Sequence, residues 1–209
     1  MFRLYRKLIP KEFFVVFGDC AQGGLDSNVV QFMSKTNTDI PLKLKMPGVA
    51  AGMTPYLHQA LEWIYDQTQV KPIVALERNN GGASEMHNLM MMNKNGKYRI
   101  YQMKSFGTED GIDREKKLGW NTTAQSRPQM LGDWKVAYDG QMVRIYDEDT
   151  LAEHKTFIVA KNGKPEAAPN THDDEVISCA GAWQLYQTEN PISKPVRHRP
   201  KPKRIKLHM

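Results

Sequence analysis

The sequence predicts an α/β fold with a mixed β-sheet flanked by helices, and three patterns carry that prediction. Residues 13–17 and 73–76 are short apolar runs with the length and composition of strands buried on both faces. Residues 42–46 alternate apolar side chains with lysine, which indicates a strand with one face in water. Between these runs, apolar residues recur at helical spacing. Strands and helices that alternate in this way are typical of a sheet covered by helices.

The predicted elements of the first half begin with an antiparallel meander and continue with parallel strands. Three strands follow one another directly, and the turn at Asn37-Thr38 joins the last two. Thr54 and Pro55 mark a helix start, with Thr54 as N-cap and Pro55 in the first turn. The predicted elements are strands at 13–17, 28–34 and 42–46, a helix from 54, a strand at 73–76, a helix at 84–92 and a strand at 98–103.

The second half predicts helices and one short appendage. Residues 104–125 are polar and contain glycine, which predicts a surface loop. Short strands at 142–146 and 156–160 are expected to pair as a β-hairpin-like appendage. The other predicted elements are a helix from 126, one or two helical turns at 147–155, and a last helix that begins at Thr171 and ends at Asn190-Pro191.

The net charge of +6 is concentrated at the C terminus. Residues 194–209 contain seven of the 29 basic residues and no acid, which leaves 22 basic against 23 acidic residues, a net of −1, in the rest of the chain. This basic, proline-rich tail is not expected to fold by itself. The sequence therefore predicts one domain at 1–193 and a disordered tail at 194–209.

The remaining composition excludes several classes of protein. Cys20 and Cys179 are too few for a disulfide framework or a zinc site and fit a reducing compartment. No apolar run approaches the roughly 20 residues of a membrane helix, and the N terminus lacks a secretory signal pattern. A membrane is therefore not an expected partner.

Three acidic positions stand where a metal site would be built. Asp19 and Glu77 each directly follow a buried strand, and parallel neighbouring strands would bring both carboxylates to one edge of the sheet. Asp173 and Asp174 begin the last helix and point about 100° apart around its axis, so one of them can face that edge. A buried carboxylate is costly unless it is paired. Clustered carboxylate oxygens are the ligands that Mg²⁺ or Mn²⁺ prefers.

Each of these acids also has a purely structural interpretation. An Asp after a strand is often a turn former or a helix cap. Thr171 and Asp174 have the spacing of a capping box, and acids suit the first turn of a helix. Asp26 is interpreted as a turn residue, with a supporting role behind the metal ligands as the alternative, and His172 as a polar neighbour of the cluster.

Four segments of the chain carry a family resemblance. They are GDCAQGG at 18–24 with Asp26-Ser27, VALERNN at 74–80, GWNT at 119–122 with SRP at 126–128, and EHKTFIV at 153–159, which leads through Gly163-Lys164 to HDDEV at 172–176. In this order and spacing they resemble the C-terminal nuclease domain of the large terminase subunit of tailed bacteriophages. The resemblance runs from about Phe14 to Leu185.

The resemblance implies a ribonuclease-H-like fold and a metal-dependent endonuclease that cuts concatemeric viral DNA during packaging into the procapsid. It places the catalytic, metal-binding acids at Asp19, Glu77, Asp173 and Asp174, and we favour Asp174 over Asp173 as the direct ligand. Two Mg²⁺ or Mn²⁺ ions are the usual arrangement for in-line phosphodiester hydrolysis. The implied partners are double-stranded DNA, the terminase ATPase domain, the small terminase subunit and the portal or procapsid, and the implied location is the host cytoplasm.

The chain departs from the complete large subunit in one respect. Large terminase subunits carry an ATPase with a phosphate-binding loop, and this sequence contains no G-x-x-x-x-G-K-[ST] motif. We therefore expect the nuclease part without the motor. Two alternatives stay open: a module that docks and grips DNA while its cleavage is latent, and a nuclease like the junction resolvases or transposases.

DNA contacts are expected beside the acidic cluster, because local Lys and Arg must hold the phosphates of a polyanion. For Arg127, in the SRP segment, the alternative is simple solvation at the start of a helix. The basic tail is a second candidate tether for DNA or for a partner. The candidate DNA-binding residues are Lys104, Arg114, Lys116, Lys117 and Arg127.

Overall fold

A mixed sheet of seven strands lies at the centre of the fold. The computed structural model describes residues 1–103, 117–160, 165–169 and 171–191, with the backbone alone for 22–26. The strands are β1 (Phe2–Leu4), β2 (Phe14–Asp19), β3 (Gln22–Ser34), β4 (Asp39–Val49), β5 (Ile73–Leu76), β6 (Arg99–Ile100), β7 (Gln102–Met103), β8 (Lys117–Leu118), β9 (Arg144–Ile145), β10 (Phe157–Val159) and β11 (Pro165–Ala167). The helices are α1 (Ala50–Thr68), α2 (Gly82–Met92), α3 (Ser126–Asp139), α4 (Glu148–Thr156) and α5 (Asp174–Thr188).

The strand order is β1-β4-β3-β2-β5-β6, and β9 pairs with β4. Strands β2, β3 and β4 form the predicted antiparallel meander. Strand β5 lies parallel to β2 in the register that pairs Val15 with Ile73 and Gly18 with Leu76. The α/β class, the mixed sheet and the parallel β2–β5 pair are therefore confirmed. This pairing brings the C-terminal ends of two buried strands to one edge of the sheet.

Helices cover both faces of the sheet. Val15 and Phe17 belong to a core that includes residues of α3 and α5, such as Trp134. Phe14 and Val16 point to the other face and pack with residues of α1 and α2. Successive strand residues point to opposite faces, so β2 is buried on both sides, as its unbroken apolar run predicted.

The predicted start of the first long helix is wrong. Helix α1 begins at Ala50, directly after β4, and Pro55 lies inside it. The Thr54 hydroxyl is buried and donates to the carboxylate of Glu85, at 2.5 Å, instead of capping a helix end. The alanines at positions 50 and 51 are good helix formers, so the helix follows the strand directly and begins four residues before the predicted start.

The β-hairpin-like appendage exists, but its predicted pairing is wrong. It is formed by β10 and β11, which pair antiparallel from Phe157 with Ala167 to Val159 with Pro165. The strand predicted at 142–146 appears as β9 and joins the main sheet beside β4. The strand predicted at 98–103 is divided between β6 in the main sheet and β7, which pairs with β8.

Several predicted features lie outside the described residues. They include the basic tail at 194–209 and three of the candidate DNA-binding residues, Lys104, Arg114 and Lys116. Within the part of the chain that is described, no helix combines the length and the apolar character needed to cross a membrane.

Candidate metal centre

The first two predicted acids lie side by side at the end of the β2–β5 pair. The parallel register ends at Gly18 and Leu76, so the next residues are Asp19 and Glu77. The Glu77 amide donates to the Gly18 carbonyl at 2.8 Å and continues the ladder by one step. The Asp19 carboxyl group lies within hydrogen-bonding reach of the Glu77 carboxyl group.

Electrostatics at Asp19 disfavour its charged form. Burial raises the pKa of Asp19 well above its usual range, and the negative charges of Glu77, Asp174 and Asp173 raise it further. A positive charge beside such a group would favour its ionised form. The fold therefore keeps acids together that repel one another when ionised.

The segment around Glu77 is held tightly by its neighbours. Glu77 forms an isolated parallel bridge with Trp120, and the Asn79 side-chain amide donates to its carboxylate at 3.1 Å. Helix α2 begins very close to the backbone here, because a Cβ on Gly82 would lie 1.8 Å from the Glu77 carbonyl oxygen. Only glycine fits at this position. These contacts fix the direction in which the Glu77 side chain leaves the strand.

Helix α5 brings the other two acids to the same edge. It packs closely on β2, since a Cβ on Gly181 would lie 2.4 Å from the Phe17 ring. Asp173 is the N-cap residue and Asp174 the first helical residue. A carboxylate oxygen of Asp174 accepts from the Ser27 amide at 3.4 Å. Asp26 precedes this contact in the chain, and its side chain is not among those described.

The predicted capping box at the start of this helix is wrong. Helix α5 begins at Asp174, and the Asp173 side chain makes no capping hydrogen bond. The Thr171 hydroxyl instead donates to the Ala168 carbonyl at 2.7 Å. The Asp173 side chain therefore does not cap the helix that it precedes.

All four predicted acids line one pocket of about 450 Å³. Volume alone does not single it out, because a pocket of about 560 Å³ lies elsewhere, beside α3 and β9. Its chemistry does, since its lining is dominated by acids and small polar side chains. The lining residues are Asp19, Cys20, Ala21, Glu77, Asn79, Asn80, Arg127, Thr171, His172, Asp173 and Asp174.

Two of the other candidate residues reach this pocket. His172 lines it, and the Arg127 guanidinium forms an ion pair with Asp173 at 2.6 Å. Both side chains of that pair are about one-third exposed, at 36% and 31%, so the pair is open to exchange with solvent or ligands. Lys117 lies on β8 and is not among the pocket residues.

The residues of the pocket fit a hard divalent cation, although they are not pre-arranged around one. Within the described part of the chain, no three His, Cys, Asp or Glu side chains already form a metal-binding group. Asp19 lies within hydrogen-bonding reach of Glu77, and Asp173 is paired with Arg127. The donors are nevertheless carboxylate oxygens, which Mg²⁺ and Mn²⁺ prefer, and buried acids that repel one another gain stability from a cation.

Solved structures of viral nuclease domains share this arrangement of strands and helices. The large terminase nuclease domain of Thermus phage P74-26 superposes with a TM-score of 0.58 at 16% identity, over 92% of this chain and 87% of that one. The large terminase nuclease of the thermophilic phage G20c, with bound magnesium, gives 0.57 at 15% identity, over 87% and 84%.

The terminase nuclease domain of human cytomegalovirus, soaked in manganese, gives 0.57 at 10% identity, over 83% of this chain and 82% of that one. The chain has the fold of a large terminase nuclease domain. The resemblance in the sequence is thereby confirmed at the level of the fold. No family model and no curated protein sequence matches the chain.

Sequence reasoning missed a buried ionic network directly behind the pocket. Lys43 was predicted on a face in water, yet its side chain is only 1% exposed and its ammonium contacts Asp147 at 2.5 Å and Glu175 at 2.8 Å. Lys45, on the same side of β4, contacts Glu175 at 3.0 Å. Burial alone would raise the pKa of Asp147, but hydrogen bonds from Lys43, Tyr5 and the Thr150 amide hold it below its usual range.

Glu153 of α4 is the second residue that sequence reasoning missed, although it lies in the EHKTFIV segment. It accepts hydrogen bonds from the amides of Glu175, at 2.7 Å, and Val176, at 3.0 Å. Burial raises the pKa of Glu153 to about 7 against these bonds, and the charges of Glu175 and Asp174 add to the effect. No local signal in the sequence joins α4 to the start of α5.

Proposed function

We propose that this chain is a Mg²⁺- or Mn²⁺-dependent endodeoxyribonuclease that cuts concatemeric viral DNA during genome packaging. The pocket supports this proposal because three separate segments bring Asp19, Glu77, Asp173 and Asp174 together there. The half-buried Asp19 within hydrogen-bonding reach of the buried Glu77 is the observation that carries it. Such a pair is costly to the protein unless a cation joins it.

In this proposal Asp19, Glu77 and the Asp173-Asp174 pair hold two divalent cations. When bound, these cations supply a nucleophilic water at neutral pH and stabilise the charge that develops on the phosphate and the leaving oxygen. The residues of the chain have their own tasks. Asp19 and Glu77 would hold the cation through their carboxylate oxygens, and Asn79 keeps the Glu77 carboxylate oriented through its 3.1 Å hydrogen bond.

Arg127 is proposed as a phosphate contact at the rim of the pocket. Its guanidinium is engaged with Asp173 and about one-third exposed, so a DNA phosphate can replace that carboxylate as its partner. A guanidinium binds phosphate through parallel hydrogen bonds. Lys104, Arg114, Lys116 and Lys117 remain proposed DNA contacts on the segment that precedes α3.

The proposed partners follow from the proposed reaction. Double-stranded DNA is the substrate, and the terminase ATPase domain, the small terminase subunit and the portal are the proteins that would deliver and receive it. The reaction would take place where viral concatemers accumulate, in the host cytoplasm.

The test is cleavage of supercoiled plasmid with Mg²⁺ or Mn²⁺, by the wild type and by Asp19→Asn and Glu77→Gln. We expect nicked and linear products from the wild type, loss of more than about 100-fold in either variant, and no cleavage in the presence of a chelator. Asp139→Asn, an exposed acid on α3, is the matched control and should cut normally. Equal cutting by wild type and both pocket variants would contradict the proposal.

A second substrate distinguishes the related nuclease classes. Linear duplex and a four-way junction of the same length are compared under the same conditions. Similar rates on both are expected for a packaging nuclease. A strong preference for the junction would favour a resolvase-like enzyme instead. DNA binding without cleavage on either substrate would favour a gripping module.

A further inference from the structure

The start of helix α5 is capped by a residue from another helix. An Asp in the N-cap position usually accepts from the free amides of its own first turn. Asp173 occupies that position and makes no such bond. Glu153 of α4 takes over the task and accepts from the amides of Glu175 and Val176, at 2.7 and 3.0 Å. The first-turn amides of α5 are therefore satisfied from outside the helix.

Because Glu153 caps α5, Asp173 does not have to do so. A capping Asp directs its carboxylate back over the helix end, and its lone pairs are used there. The Asp173 carboxylate instead lines the pocket and meets Arg127 at 2.6 Å. Asp174 lines the same pocket. The presence of the Asp173 carboxylate at the pocket thus depends on a cap supplied by Glu153.

A second set of contacts fixes the next residue of α5. The buried Glu175 carboxylate accepts from four donors, which use both of its oxygens. They are Lys43 at 2.8 Å, Lys45 at 3.0 Å, Gln31 at 2.9 Å and Thr150 at 2.8 Å. The residue directly after Asp174 is therefore held by its backbone amide and by its side chain.

Helix α4 is anchored to the same network, so Glu153 is itself held in place. The Asp147 side chain caps α4 through the Thr150 amide at 2.8 Å and also pairs with Lys43 at 2.5 Å. Lys43 thus links the cap of one helix to the first turn of the next. Movement of α4 relative to α5 would break several buried ionic contacts at once, which is strongly unfavourable.

We propose that Glu153 is a positioning residue for the metal centre: by capping α5 it does the task that Asp173 would otherwise have as N-cap residue, so that the Asp173 carboxylate lies at the pocket beside Asp174. The inference rests on the proposed function, because it assumes that these acids are metal ligands. It assigns to Glu153 no contact with metal or DNA.

The test separates the reach of the side chain from its charge. Glu153→Asp keeps the carboxylate but is one methylene too short to reach both amides. Glu153→Gln keeps the reach and one acceptor oxygen but removes the charge. Ile64→Val, in the core on the opposite face of the sheet, serves as a control that lowers stability without touching α5. Each protein is titrated with MnCl₂ in a calorimeter, without DNA, and its Tm is recorded.

We expect Glu153→Asp to bind Mn²⁺ about tenfold more weakly than the wild type, as for other residues that orient metal ligands. Glu153→Gln should bind within about twofold of wild type, and Ile64→Val should bind normally despite its lower Tm. Normal binding by Glu153→Asp would overturn the inference. So would weak binding by Glu153→Gln with normal binding by Glu153→Asp, because charge would then be the cause.

The same titrations distinguish a failure of this inference from a failure of the proposed function. If the wild type binds no Mn²⁺, the proposed metal centre itself fails. If the wild type binds and all three variants bind equally, the metal centre stands and the positioning role fails. A Glu153→Asp protein that loses Tm but keeps its affinity for Mn²⁺ would show a purely structural cap, which also contradicts the inference.

Discussion

Two groups of acids lie next to each other in this molecule, and the protein treats them differently. Asp147 and Glu175 are buried and bonded to the ammonium group of Lys43. Asp19 is half-buried and meets another acid, Glu77, and burial and like charge both raise its pKa. The first group is neutralised by the chain itself. The second becomes favourable in its ionised form when a cation is added from outside.

The partner of each acid indicates whether the acid is structural or available for chemistry. A buried ion pair whose hydrogen bonds are complete fixes the elements that carry it, and removal of one partner is costly. Buried acids that repel one another lower stability and persist where they have a function. Both groups consist of Asp and Glu, so residue type does not distinguish them and the identity of the neighbours does.

The largest effect is expected from Lys43→Met, which leaves two buried carboxylates without their shared cation. The free energy of unfolding should fall by about 3–5 kcal/mol, measured by urea denaturation. Lys135→Met is the matched control, because Lys135 pairs with Asp139 on the exposed face of α3, and it should change stability by less than about 0.5 kcal/mol. Similar losses in both variants would remove the distinction between the two groups of acids.

Replacing an acid of the pocket should raise the stability of the metal-free protein, whereas Lys43→Met lowers it. The pKa of Asp19 is higher in the folded state than its unfolded value of 3.8. The stability that this shift provides is complete below pH 3.8 and is lost as the pH rises through the pKa of the folded state. Asp19→Asn abolishes this loss and should raise the Tm of the metal-free protein at pH 8. Asp39→Asn, at a buried acid that pairs with Arg6, should lower it.

Added metal extends the same prediction. Mn²⁺ at a hundredfold excess over its Kd should stabilise the wild type by about 2.7 kcal/mol, and it should stabilise Asp19→Asn much less. Thermal denaturation with and without MnCl₂ measures both effects. A wild type whose Tm is unaffected by Mn²⁺, or an Asp19→Asn protein that gains as much as the wild type, would contradict the assignment of the pocket.

Part of this comparison could be predicted from the sequence. The apolar runs before Asp19 and Glu77 gave the two strands, and parallel pairing of those strands is sufficient to bring the acids together. Lys43 shows the limit of the method. Alternation along β4 separates one face from the other, but it does not distinguish a face in water from a face on a buried ionic network. That distinction depends on residues of α4 and α5, far away in the chain.

The start of α5 shows a second limit. Thr171 and Asp174 have the spacing of a capping box, which is a local signal, and local signals are reliable when no distant residue competes. Here Glu153 supplies the cap instead, because α4 packs beside α5 and the Glu153 carboxylate accepts from the amides of Glu175 and Val176. The hairpin was mispaired for the same reason, since strands as short as two or three residues carry little information about their partners.

Arg127 forms an ion pair with a pocket acid, Asp173, but unlike Lys43 it is partly exposed. Arg127→Ala should weaken binding of duplex DNA about tenfold, the value of one charge-assisted hydrogen bond. It should also reduce the slope of log K against log salt by about 0.9 for one phosphate contact. Lys135→Ala removes a positive charge from the same helix and should leave both quantities almost unchanged. Equal effects of the two variants would mean that Arg127 contributes charge but no specific contact.

The smallest change in stability is expected at Glu153. Its hydrogen bonds are structural, like those of Asp147 and Glu175, but its pKa is raised, like that of Asp19. Its pKa is raised from 4.5 to about 7, so its contribution to stability is complete below pH 4.5 and is lost as the pH rises through 7. Glu153→Gln keeps the cap and lacks this loss. Its stability relative to the wild type should therefore increase between pH 5 and pH 8, by less than about 1 kcal/mol because the side chain is only partly buried.

Thermal denaturation of both proteins across this pH range measures the difference, with Glu148→Gln, at an exposed residue of the first turn of α4, as the control for charge removal. A constant difference between pH 5 and pH 8 would mean that Glu153 is ionised throughout and is paired like Asp147. A difference that grows with pH means that a structural cap carries an electrostatic cost. That cost comes from its position beside Glu175 and Asp174, and a cation in the pocket would reduce it.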